Sequence, residues 1–322
     1  MAGYLLRRLG QSLLVCLAVS LLVFFGVYMI GDPLLMLVPP DAGPAATAKL
    51  RVELGLDLPV WQQYGLFLWN LLHGSLGQSF VFREDAIGLI LQRLPATFEL
   101  AVSALLIAVL VGVPLGMYAG SHPDSKADRA IALGSVLGFS LPSFWFGILL
   151  ILAFAVSLGW LPASGRGQTV NVAGVPLSIL TVDGIRHLIL PAINLSLFPM
   201  GFIIRVTRAG MREALGLDFV KFARAQGQSR SQVVRRSILK YVSIPIVTVI
   251  GLYFGVLIAF AVVTESIFSW PGMGKLLIDS IILLDRPVVV AYLLVVTVII
   301  LAVNLLTDLI YGWLDPRIRI AR

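Results

Sequence analysis

Apolar residues fall along this chain in long blocks that carry no charge, set apart by short charged clusters. Six blocks lack Asp, Glu, Lys and Arg: Leu9 to Gly31, Leu100 to Ser121, Ala130 to Gly165, Leu188 to Ile204, Tyr241 to Thr264 and Pro287 to Thr307. Each supplies the roughly 17 to 25 apolar residues a helix needs to cross about 30 Å of hydrocarbon, so six transmembrane helices are predicted. A long segment, Asp32 to about Arg93, follows the first block. Within it Pro59 opens a predicted helix through Leu72, with Trp61, Tyr64, Leu68 and Leu71 at spacings of three and four and Gly74 as its stop. That stripe either packs against the bundle or lies on the membrane surface. The segment Gly159 to Arg186, rich in Gly, Pro, Thr, Asn and Ser, reads as a loop or hairpin.

Composition agrees with the pattern. Of 322 residues 58% are hydrophobic and 13% charged, against about 45 to 50% and about a quarter in soluble domains. A water-soluble domain of this size has no interior for so much apolar surface. The first block, an uncharged run of 23 residues, is longer than the roughly 7 to 15 of a signal-peptide core, so it reads as a retained helix. Cys16 is the single cysteine, and His73, His122 and His187 lie far apart. No disulfide, metal site or catalytic residue is therefore expected.

Lys and Arg set the orientation. With the amino end cytoplasmic, residues 1–8, 122–129, 205–240 and 308–322 are inside and hold 16 basic and 6 acidic residues. Residues 32–99, 166–187 and 265–286 are outside and hold 8 basic and 11 acidic ones. The net charge of +7 thus reflects positive-inside topology, and nucleic-acid binding is not expected. Glu99, Glu265 and Asp308 sit at block ends and read as interfacial. Gly112, Gly116 and Gly120, Gly134 and Gly138, and Gly251 and Gly255 recur at four-residue spacing, as where helix backbones approach closely, and Pro114 is expected to kink its helix. Ser140, Ser143, Asn194, Ser196, Thr248 and Gly255 are candidates to line a water-filled path or to bond between helices, Asn194 being the costliest to leave in lipid.

The inner loop Arg205 to Lys240 is too long for a mere connection and carries nine basic and two acidic residues. Phe219, Phe222, Ala223 and Gln226 are read as one face of a short helix, Gly227 as its stop, and Ser229 with Gln232 as a capping box opening a second helix. This helix-turn-helix knuckle docks a partner or is held by anionic lipid.

The run Asp218-Phe219-Val220-Lys221-Phe222-Ala223-Arg224-Ala225-Gln226-Gly227 resembles the EAA loop of ABC importer membrane subunits, in the form found in the dipeptide, oligopeptide and nickel permease family. Tyr4 to Leu9, Gly31-Asp32-Pro33, Leu54 to Asp57, Leu94 to Thr97, Glu265 to Gly274, Asp285 to Val288 and Leu314 to Arg319 extend the resemblance over nearly the whole chain. Lys221 stands where the general pattern has Glu, Phe219 and Gln226 where the family usually has Tyr and Lys, and Ala291 where it has Gly.

The resemblance implies an all-α type I importer permease of six transmembrane helices with both ends cytoplasmic, in a bacterial-type inner membrane. Its divisions would be residues 1–94, a transmembrane core 95–311 with the coupling loop at about 205–244, and a tail 312–322. Phe219, Phe222, Ala223, Arg224 and Gly227 would couple it to ATPase subunits. The implied partners are a second homologous six-span permease, two ATP-binding subunits, an extracytoplasmic binding protein and membrane lipid; the absence of a charge within the six blocks suggests a path that does not hold substrate tightly, with selectivity mainly in that binding protein. Asp32 to Arg93 would supply part of the binding protein's docking surface. ATP and Mg would be bound by the partners, since Gly274-Lys275-Leu276 lacks the Ser or Thr of a phosphate loop. Small peptides are the expected cargo; nickel or glutathione transport in the same family, and ion-coupled secondary transport, remain the alternatives.

Overall fold

The computed structural model describes residues 2–28, 34–38 and 43–314. Asp32, the Gly31-Asp32-Pro33 motif, Asp315 to Arg319 and most of the expected tail lie outside them, and so do the side chains of Tyr4, Leu5, Leu6, Leu9 and Asp308. Two compact units divide the chain: Met1–Thr97 with Pro271–Ala302, and Phe98–Trp270 with Val303–Arg322. The helices in order are α1 (Ala2–Tyr28), α2 (Leu34–Leu37), α3 (Pro44–Glu53), α4 (Val60–Leu72), α5 (Ala86–Ser121), α6 (Lys126–Ser140) and α7 (Ser143–Leu150). After α7 the chain widens into a π-helical stretch, Ile151–Ser157, and forms a hairpin of β1 (Val170–Val172) and β2 (Val175–Leu177). Then come α8 (Val182–Gly216), α9 (Asp218–Ala225), α10 (Arg230–Val233), a π-helical turn Val234–Ile238, α11 (Leu239–Ile267), α12 (Met273–Ile282) and α13 (Arg286–Leu314).

Among the described residues five helices are long and apolar enough to cross a membrane, at Gly10–Val27, Ala86–Ser121, Val182–Gly216, Ser231–Ile267 and Arg286–Thr307. The third predicted block is not one straight span. Lys126–Gly138 and Ser143–Ser157 meet at a 105° bend, and they make a sixth span only if taken together. Leu141 is extended (φ −72°, ψ 129°) because Pro142 follows it: the proline ring disfavours helical geometry in the residue before it and lacks the N–H that would continue the ladder.

In the first unit α4 packs on α1. Tyr64 Oη bonds Ser20 Oγ (3.0 Å), Phe24 meets Tyr64 and Phe67, and Phe25 meets Trp61. Phe67, outside the predicted stripe, shares this contact, and no side chain of α4 is buried. Asp285, fully buried, accepts from Ser79 Oγ and from Phe80 N (3.0 Å), and ties the loop before α5 to the start of α13.

The second unit is built on α8, where Leu188, Leu190, Asn194, Ile203, Thr207 and Met211 are buried. Glycines on α5 let it approach. A Cβ at Gly116 would stand 2.6 Å from Thr207 Cβ and 2.7 Å from Ile204 O, and one at Gly120 would stand 2.6 Å from Met211 Cβ. Gly251 faces Thr307 as tightly, whereas a Cβ at Gly134 meets nothing within 4 Å. Gly116→Leu is therefore expected to push α5 off backbone and abolish the yield of folded protein from detergent-solubilised membranes, while Gly134→Leu leaves the chain's own yield unchanged. Size-exclusion profiles of the two variants check this.

Candidate functional site

α8 ends at Gly216, and one extended residue, Leu217 (φ −76°, ψ 151°), turns the chain into α9. Val220 and Ala223 face inward and join Met211, Ala214, Val233, Ile238, Val242 and Ile246 in one buried cluster. Phe219, Phe222, Arg224 and Gln226 point outward, Phe222 with 65% of its surface exposed. Ala223 thus does not share the outward face predicted for Phe219, Phe222 and Gln226. The cluster has room for small and branched side chains close to the helix axis, and the phenyl rings are left outside it.

The outward face is braced from behind. Phe219 lies 6.0 Å from the ring of Tyr241, whose hydroxyl donates to Glu213 Oε1 (2.7 Å), so α8, α9 and α11 meet there. The turn after α9 is doubly closed: Gly227 N donates to Arg224 O (2.9 Å) and Gln228 N to Ala223 O (3.2 Å), with Gly227 at φ 80°. This is a Schellman stop, and it requires a left-handed residue at that position. Two residues on, Ser229 Oγ accepts from Gln232 N (3.3 Å) while Ser229 N donates to Gln232 Oε1 (3.0 Å), which is the predicted capping box. The knuckle is therefore a rigid turn presenting two aromatic rings and a guanidinium.

The residues proposed from sequence for a path are placed as follows. Asn194, 2% exposed, donates from Nδ2 to Thr264 Oγ1 (2.9 Å) and so bonds α8 to α11, and its Oδ1 is buried without a hydrogen-bond partner. Ser196 and Thr248 donate to Ile193 O and Ile244 O of their own helices. Gly255 is buried, and Ser140 and Ser143, on either side of the bend, are exposed.

Sequence reasoning missed a polar hub at Glu99. Its Oε1 accepts from Ser178 N and Ile179 N (2.7 Å each), and its Oε2 from Ser178 Oγ (2.9 Å) and from Arg166 Nε (3.1 Å) and Nη2 (2.6 Å). Arg166 also donates to Pro176 O (2.7 Å) and covers the ring of Trp270. Apart from its position at the edge of an uncharged block, nothing local marked Glu99. In the first unit a cleft of about 410 Å³ opens among Phe24, Val27, Gln63, Asn70, Arg83 and Arg286.

The braced, outward-facing knuckle thus lies between two of the long apolar helices, α8 and α11. The family described as "Binding-protein-dependent transport system inner membrane component" matches residues 112–320, and its amino-terminal companion, "Binding-prot-dependent transport system membrane comp, N-term", matches residues 1–101. The chain belongs to this family, whose members are transport subunits and not enzymes, and whose partners are separate ATPase subunits and substrate-binding proteins. It is 40% identical to the dipeptide transport system permease protein DppB of Escherichia coli K12 over 99% of both chains. Identity is also 40%, again over 99% of each, to the di/tripeptide transport system permease protein DppB of Pseudomonas aeruginosa, and 37% to a putative peptide transport system permease protein of Brucella abortus. A chain of the inward-facing MetNI methionine ABC transporter superposes with a TM-score of 0.54 at 14% identity, covering 70% of this chain and 96% of that one. That likeness shows the type I importer permease fold.

Proposed function

We propose that this chain is one of two homologous six-span permease subunits of an importer that carries short peptides across a bacterial-type cytoplasmic membrane by alternating access. Full-length identity to relatives named for dipeptide and di/tripeptide transport supports the cargo. The excess of Lys and Arg in alternate loops supports cytoplasmic amino and carboxyl ends, with the 205–244 loop on the same side. Two ATP-binding subunits, which hold ATP and Mg, dock on that side, and an extracytoplasmic binding protein delivers the peptide. Residues 95–311 form the transmembrane core, and membrane lipid surrounds it.

The observation that carries the mechanism is the knuckle: Phe219, Phe222 and Arg224 lie outside, while Ala223 behind them and Gly227 after them fix their placement. Closure of the ATPase dimer pushes on this face, and the buried cluster passes the push to α8 and α11. Ser140, Ser143 and Thr248 are assigned to the path between the helices, where peptide passes without tight binding, while Asn194 serves as the bond from α8 to α11 and Ser196 and Gly255 pack in the interior.

Gentle affinity purification from native membrane, with mass spectrometry of the accompanying molecules, tests the assignment. Recovery of a second six-span chain, ATP-binding subunits and a binding protein carrying peptide supports it. A binding protein carrying nickel or glutathione changes the cargo, and recovery of the chain alone overturns the importer reading. Phe222→Ala removes a ring that contributes nothing to the folded core, so the chain inserts normally. Its retention of ATPase subunits on washing falls about tenfold, the loss of one aromatic anchor worth about 1 to 2 kcal/mol.

A further inference from the structure

Asp128 lies in the first turn of α6 with its side chain 1% exposed. Two arginines of α8, one helical turn apart, close on it. Arg208 donates from Nε to Oδ1 and from Nη2 to Oδ2 (3.0 Å), and Arg212 donates from Nη2 to Oδ2 (2.6 Å). Asp124 N also donates to Oδ2 (3.2 Å), and Ser125 Oγ caps α6 by accepting from Asp128 N (3.0 Å). Both carboxylate oxygens and the helix start are thereby fixed, and a two-pronged guanidinium resists sliding as well as rotation.

α6 lies along α8, and Asp128 is a buried charged tie between the two helices. Among its described side chains only Asp128 and Ser135 are buried, and Ser135 Oγ donates to Ala132 O of its own helix. At the other side of the fork, Met211 and Ala214 share the buried cluster with Val220 and Ala223 of the knuckle, and Glu213 takes the hydrogen bond of Tyr241. The α8 stretch from Arg208 to Gly216 is unbroken helix, so a displacement of α9 moves the two arginines.

We propose that Asp128 is a positioning residue that makes α6 part of the body moved by the knuckle, carrying the displacement from α8 into the third span. The inference rests on the coupling role proposed for α9. It adds a route that the knuckle's own contacts with α8 and α11 do not supply.

The test reconstitutes the complete importer in liposomes and measures ATP hydrolysis and peptide uptake together. Asp128→Asn is expected to keep its ATPase subunits and its hydrolysis while uptake per ATP falls about tenfold, within the range of coupling losses caused by residues that touch neither ligand. Asp128→Glu restores most of the coupling, and the swap Asp128→Arg with Arg208→Asp performs better than Asp128→Arg alone. Unchanged uptake per ATP in Asp128→Asn overturns the proposal, and so does a proportional fall of both activities in the Asn and Glu variants alike, which marks a role in folding only. Should Asp128→Asn fail to accumulate, Arg208→Lys keeps the charge and removes the two-pronged contact, and its uptake per ATP must fall for the proposal to stand. If Phe222→Ala keeps its ATPase subunits, the reading of α9 itself fails. If Phe222→Ala loses them and Asp128→Asn stays coupled, only the strut fails.

Discussion

Gly227→Val is expected to leave the chain in the membrane and its ATPase subunits able to hydrolyse ATP, while peptide uptake per ATP falls by about tenfold or more. The cause is conformational and not steric, because a Cβ at this position meets nothing within 4 Å. At φ 80° a β-branched residue costs about 1 to 2 kcal/mol, comparable with the roughly 1 to 3 kcal/mol of the two turn hydrogen bonds that close the stop, so the left-handed turn loses most of its preference. The chain relieves that cost by leaving the left-handed region. Doing so breaks the bonds from Gly227 N to Arg224 O and from Gln228 N to Ala223 O, and shifts the Ser229 cap that opens α10. Phe219 and Phe222 then stand on a hinge that yields when pushed. Asn visits the left-handed region readily, so Gly227→Asn should retain most of the coupling and Gly227→Ala should fall between. Equal behaviour of the Asn and Val variants in coupled hydrolysis and uptake would show that the turn geometry is irrelevant.

This turn was legible in the sequence because its signals are local: a glycine stop, then Ser229 and Gln232 three residues apart. The hairpin after α7 was legible in the same way, and its tip is a left-handed pair, Ala173 at φ 50° and Gly174 at φ 87°. Periodicity of small residues was a partial guide. It identified Gly116 and Gly120, which do receive a neighbour, and Gly134, which receives none, because a small residue permits approach without supplying anything to approach. Hydropathy found the third apolar block and missed its bend, since an apolar count takes no notice that Pro142 fixes the geometry of Leu141. The outward face of α9 was assigned too broadly, because spacing alone does not tell which side has a core beneath it.

The polar ties escaped for a different reason. Glu99 meets Arg166 across 67 residues, Asp128 meets Arg208 across 80, and Asp285 meets Ser79 across 206. No local pattern encodes such pairs. Each acid stands beside an uncharged block, where a solvated interfacial carboxylate is the ordinary expectation. Tertiary structure instead buries all three and surrounds them with donors.

Glu99→Ala should have the largest effect on folding outside the helix contacts. The side chains of Glu99 and Arg166 are 3% and 9% exposed, and removing the acid strands the guanidinium as a buried unpaired charge, at a cost of about 3 to 5 kcal/mol. Ser178 N and Ile179 N lose their acceptor at the same time. The hairpin is the element released, since Arg166 and Ser178 flank it and Pro176 within it accepts from Arg166. Limited proteolysis should therefore cut Glu99→Ala between Arg166 and Thr181 under conditions that leave the parent intact, with a lower melting temperature in detergent. Glu99→Gln keeps an acceptor for the two backbone N–H groups but sets an amide against the guanidinium, and should be cut at an intermediate rate. The double variant Glu99→Ala with Arg166→Ala removes the stranded charge and should be more stable than Glu99→Ala alone. If the double variant is instead the less stable of the two, the acid does not serve to neutralise Arg166.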